Sequence, residues 1–177
     1  MSDLENTDIS IRFMQYSDVP HISRAFQDAH WPKPNMLFES YLNEHQTKKR
    51  LIWVALYRGL FAGYVTLKWI SEYQFFSNQL IPEIADLNVL PSYRNLGIGS
   101  CLLNQAEQAA STQCSSVGIG VGLYGGSDGG YGFAQRLYVK RGYIPDGKGV
   151  TYNYQYAIPH KQYPLDDDLI LWFIKQL

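Results

Sequence analysis

The stretch from Glu83 to Ser100 limits the possible folds more than any other part of this chain. Glu83 to Leu90 reads as a strand, and Pro91 ends it because proline has no N–H to give to a sheet. Within Val89-Leu90-Pro91-Ser92-Tyr93-Arg94-Asn95-Leu96-Gly97-Ile98-Gly99-Ser100, a short turn then leads to two glycines at the opening of a helix. That helix begins near Leu96 and carries Ile98, Leu102, Leu103, Ala106 and Ala109 on one side. The first amides of a helix have no intrahelical acceptor, carry partial positive charge and can ring a phosphate. Glycine keeps side chains out of the way of a ligand approaching those amides, and Arg94 adds a fixed cation. Taken alone, the same residues also fit a plain strand-to-helix turn with helix-packing glycines. They do not form a Walker loop, since no Gly-Lys-Ser/Thr follows, and the third glycine of a dinucleotide fingerprint is absent.

Around this segment the chain alternates strands and helices. Ile9 to Met14 predicts a first strand, and Ser17-Asp18 can cap a helix through Val19, Ile22, Ala25 and Phe26. His30-Trp31-Pro32-Lys33-Pro34 breaks it, and a second helix is expected from about Asn35 to Lys49. Lys48-Lys49-Arg50 reads as a basic run closing that helix. Leu51 to Tyr57 and Leu60 to Ile70 form a hairpin about Arg58-Gly59. Val117 to Leu123 is a strand in which Gly118, Gly120 and Gly122 mark a bulge or a close backbone approach. Gly125 to Gly130 reads as a loop, Tyr131 to Arg141 as a helix stopped by Gly142, and the tail as two antiparallel strands, around Tyr152-Tyr154-Tyr156 and over Leu169 to Ile174. The order β, α, α, β, β, β, α, β, α, β, β implies a mixed α/β (α+β) fold, a central sheet flanked by helices. It is expected as a single domain over residues 1–177.

Composition narrows the function. A net charge of −1 gives no electrostatic footprint for nucleic acid or for an anionic membrane. No apolar run reaches the roughly twenty residues that cross a bilayer, and the polar, acidic start is unlike a signal peptide. Cys101 and Cys114 suggest no disulfide framework, so a cytoplasmic location is expected, with Cys101 as a small buried hydrophobe. His21, His30, His45 and His160 lack metal-ligand spacing, so no metal is expected.

Two motifs in order carry a family resemblance. Arg94-Asn95-Leu96-Gly97-Ile98-Gly99 fits the Arg/Gln-x-x-Gly-x-Gly/Ala pyrophosphate motif of the GNAT acetyltransferases. Ile84-Ala85-Asp86-Leu87-Asn88-Val89-Leu90-Pro91 is similar to the strand that precedes it there. Ala134-Gln135-Arg136-Leu137-Tyr138-Val139-Lys140-Arg141-Gly142-Tyr143 resembles the family's Ala-x-x-Leu/Phe-Tyr-x-x-x-Gly-Phe/Tyr segment, and Ile11-Arg12-Phe13-Met14 with Asp18 resembles its opening. The likeness covers nearly the whole chain and is weakest over Ser71 to Pro82 and after Asp146.

The resemblance implies an acetyl-CoA-dependent N-acetyltransferase acting by direct attack in a ternary complex. The amides of Arg94, Asn95, Leu96, Gly97, Ile98, Gly99 and Ser100 would bind the CoA pyrophosphate. Leu87, Asn88 and Val89 would pair with the pantetheine arm, and an amide near Val89 would polarise the acetyl carbonyl. Tyr138 would protonate the leaving thiolate as general acid, its alternative being a core aromatic with a satisfied hydroxyl. Glu83 and Asp86 are the candidate bases; strand alternation would put them on opposite faces, and Glu83 at the strand start is preferred. Either can equally be a solvated or salt-bridged carboxylate.

Tyr131 stands where many relatives have asparagine, which puts one pantetheine contact in doubt. The acceptor would be a small-molecule amine or a peptide or protein amine, lying near residues 30–38 and the Tyr152-Tyr154-Tyr156 strand. Trp31, Tyr41 and those tyrosines could line it or simply pack a core. Asp166-Asp167-Asp168 could attract a cationic amine or be merely solvated. A catalytically silent acyl-CoA-binding or regulatory module is the alternative reading, and a homodimer stays open.

Overall fold

The structure is a computed structural model that describes residues 8–125 and 130–177. The acidic start and the centre of the glycine loop, residues 126–129, lie outside the described residues. In chain order the elements are β1 (Ile9–Phe13), α1 (Val19–Asp28), α2 (Asn35–Gln46), β2 (Arg50–Tyr57), β3 (Leu60–Lys68), α3 (Gln74–Gln79), β4 (Glu83–Val89), α4 (Ile98–Ser111), β5 (Ser116–Gly122), α5 (Gly132–Lys140), β6 (Ile144–Tyr152), β7 (Gln155–Tyr156) and β8 (Leu169–Gln176). They gather into two compact units. The chain up to Leu67 with Asp86–Gln108 forms one, and Lys68–Ala85 with the chain from Ala109 onward forms the other.

In the first unit the strands run in the order β1-β2-β3 and on to the second half of β4. β1 pairs antiparallel with β2, Ile11 opposite Ala55. Arg58 and Gly59 both have positive φ, at +50° and +82°, as the tightest hairpin turn requires. Val19, Ile22 and Phe26 recur on one face of α1 and bury against Phe38, Leu42, Ile52, Val54 and Tyr64. Asp18 does not cap α1 with its side chain. Its carboxylate instead accepts two hydrogen bonds from Arg12, at 2.7 and 2.8 Å, and one from the Gln15 amide. The Arg12 guanidinium holds this carboxyl below the usual carboxylate range.

The basic run is a correction. α2 ends at Gln46, Lys48 is left-handed at φ +57°, and Arg50 opens β2 as a buried residue. A buried guanidinium has to be paired, and Arg50 is paired within the sheet rather than at a helix end.

In the second unit the first half of β4 is followed by β5, β8, β6 and β7. β4 and β5 are parallel, with Glu83 opposite Gly118, while β8 pairs antiparallel with both β5 and β6. The last long strand thus lies inside this part of the sheet, between β5 and β6. Tyr152, Tyr154 and Tyr156 do not share one strand, because Asn153 and Tyr154 have positive φ and form the turn between β6 and β7. The helix α3 was not expected from the sequence. It carries Phe76 into a core with Tyr73 and Trp172, the last two stacked 4.5 Å apart at 9°.

The β5 glycines are sites of close approach. A Cβ at Gly118 would collide with the Phe76 ring, one at Gly120 would stand 2.8 Å from Ile170, and one at Gly122 would collide with the Tyr131 ring. Phe76 is 0% exposed and wedged against Tyr73 and Trp172, so its ring has nowhere to retreat. Gly118→Ala is therefore expected to destabilise the protein by about 1–3 kcal/mol, the usual cost of overpacking. Urea unfolding would measure it, and an unchanged midpoint would contradict this packing.

Candidate active site

The segment after β4 has the features expected of an anion-binding helix entrance. Leu90 is fixed by its amide to the Ala62 carbonyl at 2.9 Å, and a 3₁₀ turn over Pro91–Tyr93 follows. Asn95 and Gly97 are left-handed, at φ +63° and +85°. Residues 94–97 are exposed, while Ile98 is buried and anchors the first turn of α4. The earliest helical bond runs from the Cys101 amide to the Gly97 carbonyl at 3.0 Å. The amides of Ile98, Gly99 and Ser100 therefore precede the helical ladder. A Cβ at Gly97 would meet nothing within 4 Å, so glycine serves there for its conformation rather than for space. Arg94 Nε donates to the Val89 carbonyl at 3.3 Å, which holds the guanidinium beside the loop. Amides ahead of the helical ladder and a tethered cation are the chemistry that suits a diphosphate.

Leu87, Asn88 and Val89 lie on β4, with Asn88 buried and its side-chain amide donating to the Asp86 carbonyl at 3.0 Å. Gly63 on β3 allows a close approach, since a Cβ there would collide with the Asn88 carbonyl and stand 3.1 Å from the Val89 Cα. Asp86 itself has φ +52° inside the strand. That left-handed residue interrupts the period of two, so alternation cannot decide which faces Glu83 and Asp86 present.

The two candidate bases have different surroundings. The Asp86 side chain is 33% exposed. Its carboxylate accepts from Tyr41 Oη at 2.9 Å and from Arg50 at 3.4 Å, with Thr66 Oγ1 at 3.5 Å. Arg50 also donates to Glu44 and Thr66, both at 2.8 Å, and lies 4.3 Å from the Tyr41 ring centroid. Burial and the Asp86 charge raise the Tyr41 phenol well above its ordinary value, so it donates and stays neutral. Glu83, by contrast, is 4% exposed. Its carboxylate accepts from Ser71 Oγ at 2.5 Å, with Lys68 Nζ at 3.9 Å. Lys68 in turn pairs with Glu72 at 2.8 Å. The sequence reading missed Arg50, Thr66 and Ser71; a basic residue at the start of an otherwise apolar strand was the available signal for the first.

Tyr138 lies on α5, 4% exposed, its ring 5.9 Å from that of Tyr143. Burial alone raises its phenol above the ordinary tyrosine value, which keeps the proton on at neutral pH. Tyr131 packs against Gly122 and donates to Asp167 at 2.8 Å. Gln135, also missed, donates to the Gly122 carbonyl at 2.9 Å and ties α5 to the end of β5. The aspartate run is engaged by tyrosines: Asp167 accepts from Tyr124 and Tyr131, and Asp166 from Tyr152. Among the described residues no group of three His, Cys, Asp or Glu could hold a metal ion, and no helix is long and apolar enough to cross a membrane.

A strand of a mixed sheet that feeds a glycine-bearing helix entrance defines a class of mixed α/β protein. A family model described as the acetyltransferase (GNAT) domain matches residues 48–145, and the chain belongs to that family. Solved structures share its fold, a central open mixed sheet flanked by helices. It is similar to yncA from Salmonella typhimurium, solved with its cofactor acetyl-CoA, at TM-score 0.68 and 14% identity over 96% of this chain and 94% of that one. An N-acetyltransferase from Staphylococcus aureus Mu50 matches at 0.68 and 16%, covering 96% and 99%. NAA60 of Arabidopsis thaliana, in complex with a bisubstrate analogue, matches at 0.67 and 20%, covering 95% and 97%. No curated protein matches the chain by sequence.

Proposed function

We propose that residues 1–177 act as one acetyl-CoA-dependent N-acetyltransferase domain, transferring an acetyl group to a primary amine. The observation that carries this reading is the exposed, left-handed turn of Asn95 and Gly97 entering α4, with Arg94 alongside. Those amides, from Arg94 to Ser100, hold the diphosphate of CoA, and the β4 residues Leu87, Asn88 and Val89 hold its pantetheine arm. The thioester supplies an acetyl group already activated toward an amine. Tyr138 supplies a proton or a hydrogen bond to the leaving sulfur. Burial disfavours the phenolate, so Tyr138 holds its proton until a stronger base, the departing thiolate, is formed beside it.

The acceptor ammonium must lose a proton before it can attack. Asp86 and Glu83 are the groups proposed to take it, and Asp86 has the more accessible carboxylate. The acceptor is an amine of a small molecule, peptide or protein, as the N-acetyltransferases among the structural neighbours suggest. Two free thiols fit a reducing compartment, and we place the reaction in the cytoplasm.

The test is ligand-induced stabilisation followed by turnover. CoA at a hundredfold over its Kd is expected to add about 2.7 kcal/mol of stability, read as a rise in Tm. Arg94→Ala should weaken CoA about tenfold, as expected for a lost charge-assisted contact. Release of CoA thiol from acetyl-CoA over a panel of amines then separates an enzyme from a silent binding module. Stabilisation by NADH and not by CoA would sink the reading.

A further inference from the structure

Three rings of the first unit converge on one ammonium. Lys33 Nζ stands 4.9 Å from the Trp31 ring centroid, 5.4 Å from that of Phe26 and 6.0 Å from that of Tyr64. Phe26 and Tyr64 are fully buried, whereas Trp31 is 37% exposed, so two walls are fixed in the core and the third lies at the surface. Phe26 meets Trp31 at 82° and Tyr64 at 83°, an arrangement that forms a corner rather than a stack. Rings set this way recognise alkylammonium groups through their negative faces.

A surface lysine normally lays its methylenes on apolar surface and lifts its ammonium into water. Here the ammonium itself lies among the rings, so the occupant reports the chemistry that the corner takes. Lys33 comes from the segment Pro32-Lys33-Pro34, whose backbone the prolines restrict, so a change in this corner falls on its four-carbon stem. It also lines a surface groove with Pro20, Ser23, Arg24 and Asn35. Tyr64 packs edge-on with Phe38 at 5.4 Å, Phe38 with Tyr41 at 6.4 Å, and Tyr41 Oη donates to Asp86 at 2.9 Å, a chain of contacts from this corner to the proposed acceptor carboxylate.

We propose that Phe26, Trp31 and Tyr64 form an aromatic cage for an alkylammonium group of the acceptor, with Lys33 as an internal stand-in that swings out when the ligand's cation arrives. The acetyltransferase reading enters only in calling that ligand the acceptor. The probes are choline and 3,3-dimethylbutan-1-ol, its uncharged carbon isostere, titrated by calorimetry without acetyl-CoA. Choline is expected to bind about tenfold more tightly than the isostere. Lys33→Ala vacates the cage and should tighten choline about tenfold again, and adding Trp31→Ala to that variant should remove the gain. In the transfer assay, 1,4-diaminobutane should show a lower KM than butylamine, a preference that Trp31→Ala abolishes. Equal affinity for the two probes, a choline affinity untouched by Lys33→Ala, or a diamine preference that survives Trp31→Ala overturns the cage while leaving the transferase standing. The choline signature without transfer to any amine overturns the acetyltransferase reading and the acceptor assignment together.

Discussion

Arg50→Met is expected to destabilise the protein by about 3 kcal/mol, the lower end of the range for breaking a buried ion pair. Arg50 is 6% exposed and serves Glu44, Thr66 and Asp86 at once, while its guanidinium lies on the Tyr41 ring. Methionine fills much of the volume but leaves two carboxylates facing a neutral group. The lower end applies because the Glu44 and Asp86 side chains keep 36% and 33% exposure and so retain some water. For a chain of this length the melting temperature should fall by roughly 6–12 °C. Arg50→Lys keeps the charge but not the planar fork that reaches several oxygens, so it should recover only part of the loss. Denaturant midpoints for the three proteins give the comparison. Coincident midpoints for wild type and Arg50→Met would show that the network bears no weight.

Tyr138→Phe should lower kcat about a hundredfold, the lower end for loss of a general acid, and leave CoA affinity within twofold. The substitution removes one oxygen and keeps a ring of the same shape in a site 4% exposed, so the fold should survive. Burial raises the Tyr138 phenol, so its protonated, donating form persists above the usual tyrosine range. The wild-type rate should accordingly show no decline from this group below about pH 10. Steady-state kinetics with calorimetric CoA binding tests both points. A kcat within twofold of wild type would remove Tyr138 from the chemistry and leave it a core aromatic.

The local elements were largely legible. The hairpin at Arg58-Gly59, the strand from Glu83, the helix after Gly97 and the helix stopped by Gly142 are fixed by turn chemistry and periodicity, both short-range properties. The two motifs that carry the family resemblance are likewise contiguous. The α3 segment was illegible because six residues with Phe75 and Phe76 side by side hold too little periodicity to mark a helix face. The left-handed backbone of Asp86 was illegible because such a residue within a strand has no reliable sequence signature, and Arg50 was misread because the basic residues before it suggested a helix end.

By itself, the sequence determined the short-range features: the hairpin turn at Arg58-Gly59, the strand end at Pro91, the helix entrance after Arg94 and the helix stop at Gly142. Those constraints act between neighbours and need no knowledge of the rest of the chain. Tertiary structure alone decided which charges are paired and which rings meet. The pairing of Arg50 with Asp86 across 36 residues is one case, the Phe76 ring over Gly118 a second, and the Lys33 ammonium among three rings a third. Such contacts depend on the packing of one element against another, where strand register and close approach set which side chains share a low-dielectric site.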